Sequence, residues 1–299
     1  MHVKTNSTMR LFSPAKVNLL LAVTGKRDDG FHNLVSLVAP LDFGDYLDVS
    51  MGDSAGPIRF TCSDSTVPLG ADNLVVKAAE AFRAAAGTEL SLTIHLEKHI
   101  PMEAGLGGGS SNAATTLLAL NQLFDDPLDI DRLSGLAADL GSDCPLFLHQ
   151  APLIMRGRGE QIELLSDEAS QRLRGQALAI FKPSIGISTA WAYGALANSG
   201  DYYANAEDVE SRLGDWKAGD LPLAALLYNS FEAPVFEKFV AFPALFERIR
   251  SELGLQPLMS GSGSSCLVVL PDLEMQEPLE ALVKDAFSES AFFKVCRVG

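Results

Sequence analysis

Between Arg10 and Cys62, apolar residues alternate with polar ones or run in short blocks: RLFS, AKVNLLLAV, LVSLVAPLD, DYLDVSM and IRFTC. Blocks of this length, separated by Gly/Asp turns such as RDDG, predict five strands. The period then changes. NLVVKAAEAFRAAA over 73–86 repeats its apolar positions at helical spacing, with Asp72 as the expected N-cap and Gly87 as the stop. LSLTIHLEKHI over 90–100 alternates again and predicts a strand. Helices are expected from Ser110 to Phe124 and over DIDRLSGLAADLG, ahead of Asp143 and the apolar CPLFLH. Residues 151–165 predict a hairpin around RGRGE.

Past the polar, turn-rich SDEASQRLRG come a strand (QALAIFKP), a helix from Ser188 and a polar stretch over 198–220 that reads as a mobile insertion. Helices are expected at 229–240 and 243–253, then a strand–turn–strand over PLMSGSGSSCLVVL, a helix over 275–287 and a last strand, FFKVCRV. Strands and helices mix without regular βαβ alternation, and no repeat of solenoid period occurs. The fold class is therefore α+β in two lobes, 9–165 and 175–299. Residues 1–8 read as an extension, with Met9 opening the folded part.

Composition narrows the function. The 299 residues are 47% hydrophobic and 20% charged, as in a globular protein with a substantial core. A net charge of -15 argues against a nucleic-acid partner bound by phosphate neutralisation. A small anionic substrate stays possible, since local backbone N–H groups can hold one. The four cysteines form no Cys-x-x-Cys pair, so neither a disulfide framework nor a zinc site is suggested. No apolar run approaches a membrane span or a signal peptide, so a cytoplasmic protein is expected.

The stretch PMEAGLGGGSSNAA over 101–114 runs from a glycine-rich loop into a helical pattern. It lacks the lysine of a Walker loop and fits a dinucleotide fingerprint poorly. Glycines permit close approach of backbone N–H groups, and Ser110 and Ser111 open the helix, so the loop can face a phosphate. An ordinary glycine turn with a serine cap is the alternative. SGSGSS over 260–265 is a second such segment. Lys16 and Asn18 share one strand face. Asp143 precedes an apolar run, where a carboxylate calls for a cation, and Lys16 is a candidate beside a plain structural salt bridge. His95 and His99 lack the further ligands of a metal site, and Cys144 reads as a small buried residue.

Together SPAKVNLLLAVTGKRDDGFHNL, ADNLVVKAA, PMEAGLGGGSSNAA, LGSDCPLFL, RGRGE and SGSGSSC resemble the GHMP kinase superfamily, in its order and over most of 13–266. PAKVNL with DGFH resembles the branch acting on a cytidyl-diphosphate-linked methylerythritol. The resemblance implies an N-terminal lobe like ribosomal S5 domain 2, a ferredoxin-like C-terminal lobe and a site between them. It implies ATP as co-substrate, Mg²⁺ as its ion, and phosphorylation of the 2-hydroxyl of 4-diphosphocytidyl-2-C-methyl-D-erythritol, giving the 2-phosphate and ADP. It places Asp143 as general base with Lys16 as partner. It assigns ATP to Asn73, Lys98, Pro101, Met102, Glu103, Ala104, Gly105, Leu106, Gly107, Gly108, Gly109, Ser110 and Ser111.

For the cytidyl substrate the resemblance implies Asn18, Phe31 stacking on cytosine, His32 bonding its edge, and Tyr193 or Trp191 as a second aromatic wall. Phe31 stands where tyrosine is common, Cys144 where valine is, and NSFE over 229–232 where Asn-Asp-Phe/Leu-Glu is. A monomer or weak homodimer is expected, with no membrane contact. Two rival readings are a kinase for a sugar, homoserine or mevalonate, against which DGFH argues, and a non-catalytic nucleotide binder. The joint presence of Lys16 and Asp143 argues against the latter.

Overall fold

The computed structural model describes residues 8–199 and 202–299. Its strands are β1 (Thr8–Lys26), β2 (His32–Ala55), β3 (Ile58–Cys62), β4 (Leu90–Glu97), β5 (Leu153–Gly157), β6 (Gln161–Leu164), β7 (Ala177–Lys182), β8 (Tyr228–Asn229), β9 (Pro257–Met259), β10 (Cys266–Val269) and β11 (Phe292–Arg297). The helices are α1 (Leu74–Ala86), α2 (Gly108–Leu123), α3 (Ile130–Leu140), α4 (Asp167–Leu173), α5 (Thr189–Ser199), α6 (Ala206–Ala218), α7 (Leu223–Leu226), α8 (Glu232–Lys238), α9 (Ala241–Leu253) and α10 (Gln276–Phe287).

Two compact units interleave along the chain. The first takes the segments up to Ala15, Phe43–Pro101 and Gly107–Gln150; the second takes Lys16–Asp42, Met102–Leu106 and Ala151–Gly299. The sequence pattern instead groups 9–165 and 175–299.

In the first unit the later part of β2 pairs antiparallel with β4, from Tyr46 opposite Glu97 to Met51 opposite Leu92, and β3 runs parallel to β4. Helix α1 packs on α2, with the Phe82 and Phe124 rings 5.5 Å apart. Asn73 starts α1, its side chain accepting the Val75 N–H, and Gly87 ends it in the left-handed region that glycine adopts without strain. The expected cap was Asp72. Asn73 takes the role because its amide also donates to the Pro68 carbonyl, at 2.7 Å, and so holds the preceding turn.

In the second unit the early part of β2 pairs antiparallel with β5, β5 forms a hairpin with β6, and β1 runs parallel to β8. A separate antiparallel sheet has the order β11-β7-β10-β9. Helix α9 buries Phe242, Leu245, Phe246 and Ile249 at helical spacing and packs on α10 and β9.

Several expectations are corrected. The five early strands are three, because β1 and β2 continue through the polar residues between their apolar blocks. The expected extension lies outside the described residues apart from Thr8, which already belongs to β1. The expected insertion holds α6, which buries Val209, Leu213 and Trp216. Arg156 on β5 also grips Glu210 of α6 through two bonds, 2.6 and 2.9 Å, and Lys217 reaches Glu163 at 2.8 Å. The helix expected at 229–240 starts only at Glu232, because Tyr228 and Asn229 pair with β1. SDEASQRLRG contains a short helix, α4, capped by Ser166. Among the described residues no helix is long and apolar enough to cross a membrane.

Candidate active site

In the first unit, the end of the glycine loop becomes the start of α2. Gly107 is the N-cap, with φ 71° and no side-chain cap, so the first helical N–H groups have no side-chain acceptor from the cap. A Cβ on Gly108 would lie 3.0 Å from Ile100 Cγ2 and 3.1 Å from Lys98 Nζ, so a larger residue there would crowd both side chains. Ser111 is fully buried with its hydroxyl 2.8 Å from that of Ser13. Ser110 is half-buried, and Cys144 is buried. Burial pushes the Cys144 thiol up to about 11, so Cys144 stays protonated and acts as a packing residue. Asp143 precedes it, half-buried, in the turn before the 3-10 turn Pro145–Leu148.

Asn73 and Lys98, both expected at the nucleotide, have structural tasks. Asn73 caps α1, and the Lys98 ammonium donates to Asp45 at 2.6 Å with both side chains buried. His95 and His99 bond to Thr61 and the Gly44 carbonyl. Among the described residues no cluster of three or more His, Cys, Asp or Glu could hold a metal.

In the second unit, Lys16 is 5% exposed and donates to Asn18 Oδ1 at 2.6 Å. Asn18 donates in turn to Ser36 Oγ at 2.9 Å, and Ser36 to the Leu20 carbonyl. Each rotamer on this strand face is thus fixed by the next. The rest of the glycine loop, Met102–Leu106, lies against the 260–265 segment. Lys16 N–H donates to the Leu106 carbonyl and Ser265 N–H to that of Ala104. Gly105, at φ 71°, approaches so closely that a Cβ would sit 2.6 Å from the Ser260 carbonyl oxygen.

The kept ends of NSFE support that segment. Asn229 donates to the carbonyls of Met259 and Gly261, at 2.6 and 2.8 Å, and Glu232 accepts the Met259 N–H at 2.8 Å. The serine and phenylalanine between them do not weaken this hold. Neither residue was expected at the site, although NSFE marked the place.

An aromatic group lies in the same unit. The His32 ring stacks on Tyr193, with centroids 5.0 Å apart and planes at 30°, and Tyr203 flanks it at 6.0 Å. His32 Nε2 is buried and has no hydrogen-bond partner. Burial, aided by Lys26, lowers the His32 pKa, so the ring is neutral at physiological pH. Phe31 is 54% exposed beneath the Arg158 guanidinium, 4.7 Å from its ring centre. Trp191 instead meets Phe239 and Lys238, which leaves Tyr193 as the aromatic neighbour of His32. Tyr203 was not expected, since nothing in its flanking sequence marks it.

Residues 73–151 match the model of the GHMP kinases N terminal domain. The 4-diphosphocytidyl-2-C-methyl-D-erythritol kinase of Synechococcus sp. (strain CC9311) is 38% identical over 298 residues, covering 96% of this chain and 94% of the relative. That of Protochlamydia amoebophila (strain UWE25) is 38% identical over 264 residues, covering 86% and 83%. A crystal structure of 4-(cytidine 5'-diphospho)-2C-methyl-D-erythritol kinase superposes with a TM-score of 0.78 at 33% identity, covering 97% of this chain and all of that one. Homoserine kinase from Cytophaga hutchinsonii, at 17% identity and TM-score 0.76, shares the fold. With its glycine loop, lysine–asparagine face and orphaned histidine, and with near full-length similarity to these relatives, the chain belongs to the 4-diphosphocytidyl-2-C-methyl-D-erythritol kinase family of GHMP kinases.

Proposed function

We propose that the protein transfers the γ-phosphoryl group of ATP to the 2-hydroxyl of 4-diphosphocytidyl-2-C-methyl-D-erythritol, giving the 2-phosphate and ADP in non-mevalonate isoprenoid precursor synthesis. The observation that carries the acceptor is His32 Nε2. A buried ring nitrogen without a partner is costly unless a ligand completes it. A cytosine edge supplies the missing partner, and an exposed Phe31 ring offers a stacking face. A sugar, homoserine or mevalonate could bond the nitrogen but offers no aromatic face for Phe31 to stack on.

Asp143 accepts the proton of the attacking hydroxyl, and the Lys16 ammonium favours the anionic transition state. The tertiary alcohol is far too weak an acid to lose that proton unaided. The loop from Pro101 to Ser111 receives the phosphates, with the uncapped N–H groups of α2 aimed at their oxygens. Phosphoryl transfer depends chiefly on such positioning and charge stabilisation. Mg²⁺ neutralises phosphate charge when bound. Ser110 is the serine suited to it, because it is only half-buried, whereas Ser111 is fully enclosed with its hydroxyl against Ser13. Asn18, fixed by Lys16 and Ser36, makes a polar contact to the acceptor. Asn73 and Lys98 act on the nucleotide by holding the elements that surround it. We propose a cytoplasmic monomer or weak homodimer.

The test is ADP release with Mg-ATP and the cytidyl substrate beside homoserine, mevalonate and galactose. Turnover confined to the cytidyl substrate is expected. Turnover with another acceptor overturns the role of His32, and ATP binding without any turnover overturns the kinase reading.

A further inference from the structure

Asp45 belongs to the inward row of β2, Asp45-Leu47-Val49-Met51, whose other members are apolar and buried. It is itself 0% exposed. A carboxylate in such a row is tolerated only when its lone pairs and its charge are matched. Both are. Oδ1 accepts the His99 N–H at 2.7 Å and the Ile100 N–H at 2.8 Å. Oδ2 accepts the Lys98 ammonium at 2.6 Å and Asn112 Nδ2 at 2.9 Å. The Asn112 amide gives its second hydrogen to Ser13 Oγ at 2.9 Å, and Ser13 Oγ lies 2.8 Å from Ser111 Oγ.

The placement of these partners in the chain matters more than their number. Lys98, His99 and Ile100 immediately precede Pro101, where the glycine loop starts. Ser111 and Asn112 are the fourth and fifth residues of α2, where the loop ends. One carboxylate therefore ties both ends of the loop, and the Lys98 ammonium that it holds lies beside Gly108, the first residue of the helix. Backbone N–H groups bind phosphate well only when they converge, and a displacement of about 1 Å can cost a hundredfold in a positioned site.

We propose that Asp45 is a positioning residue for the nucleotide phosphates. It touches no substrate; it fixes the separation of the two loop ends and the place of the Lys98 charge, and so sets the affinity for ATP and ADP. The proposal rests on the reading of the loop as the nucleotide site.

The test is calorimetric titration of the full-length protein with ADP and with adenosine. Asp45→Asn keeps the size and one acceptor oxygen but loses the charge that holds Lys98. Its affinity for ADP is expected to fall about tenfold or more while that for adenosine stays within about twofold. A phosphate-specific loss of this kind is not what general loosening of the fold produces. Ser13→Ala, which removes only the far end of the network, is expected to weaken ADP about threefold with adenosine unchanged. If Asp45→Asn shows no cooperative thermal transition, Ser13→Ala decides.

Unchanged ADP affinity in a folded variant overturns the proposal, as does an equal loss of ADP and adenosine. Wild-type protein that binds no ADP fails differently, by overturning the nucleotide reading beneath it.

Discussion

Glu232 accepts the Met259 N–H at 2.8 Å while burial pushes its carboxyl up to about 7 from an ordinary 4.5; the bond itself and the charge of Arg250 pull the other way. The residue that holds the 260–265 segment is thus poised to change its charge near neutrality.

The folded protein binds this proton more tightly than the unfolded chain. Its contribution to stability is therefore complete below about pH 4.5 and is lost as pH rises through about 7, by about 3 kcal/mol in all. Glu232→Gln retains an oxygen for Met259 and never ionises. Urea unfolding at about pH 5 and about pH 8 is expected to show a shallower pH dependence in the variant, which gains on the wild type at the higher pH. Parallel pH profiles would show that Glu232 is not the source.

Asp143→Asn is expected to keep ATP affinity within about threefold and to lower kcat by about a thousandfold, the usual scale for a general base. Rapid-quench measurement of the chemical step decides it. A folded variant with near wild-type turnover would remove Asp143 from the proton transfer.

His32→Ala removes the orphaned Nε2 and the ring stacked on Tyr193. The KM for the cytidyl substrate is expected to rise about ten- to a hundredfold with that for ATP little changed, since a lost hydrogen bond and a lost aromatic contact each contribute about 1 kcal/mol or more. Equal losses for both substrates would make the ring a structural element only.

Two alanine substitutions in the glycine loop are expected to separate folding from binding. Gly105→Ala meets a positive φ and the Ser260 carbonyl, so a loss of at least about 2 kcal/mol of stability is expected by urea titration. Gly109 has no such φ, and a Cβ there would come no nearer than 3.6 Å to its closest neighbour. Gly109→Ala should leave stability within about 0.5 kcal/mol, so any loss of ATP affinity reports on phosphate approach alone.

The glycine loop, the helix behind it and the sheet of the second unit were legible in the sequence because each rests on local periodicity. Boundaries set by distant partners were not. Tyr228 and Asn229 read as helix until their pairing with β1 is seen, and α6 reads as polar surface although Trp216 is buried. At the site, motifs pointed to Lys16, His32 and the loop. Asp45 carries a signal of its own in the sequence: an acidic residue in phase with the buried row of a strand must have partners. Lys98 was placed at the nucleotide by the resemblance alone; its ion pair with Asp45 joins residues distant in the chain and leaves no local sign in the sequence.

The interleaving of the two units also bears on how the chain is made. The second unit needs Lys16–Asp42 and Met102–Leu106 as well as the chain beyond Ala151. Leu20 and Leu21 find their partners in β8 only when Tyr228 and Asn229 have been synthesised. During translation this apolar stretch of β1 must wait, without its edge partner, while most of the protein emerges. Non-local pairing of this kind slows folding and leaves strand edges open to other chains. The C-terminal product of a cut near residue 170 would lack β1, on which β8 is laid, and the Ala104 carbonyl that receives Ser265, and the N-terminal product would lack β8, so neither is expected to be a self-sufficient domain.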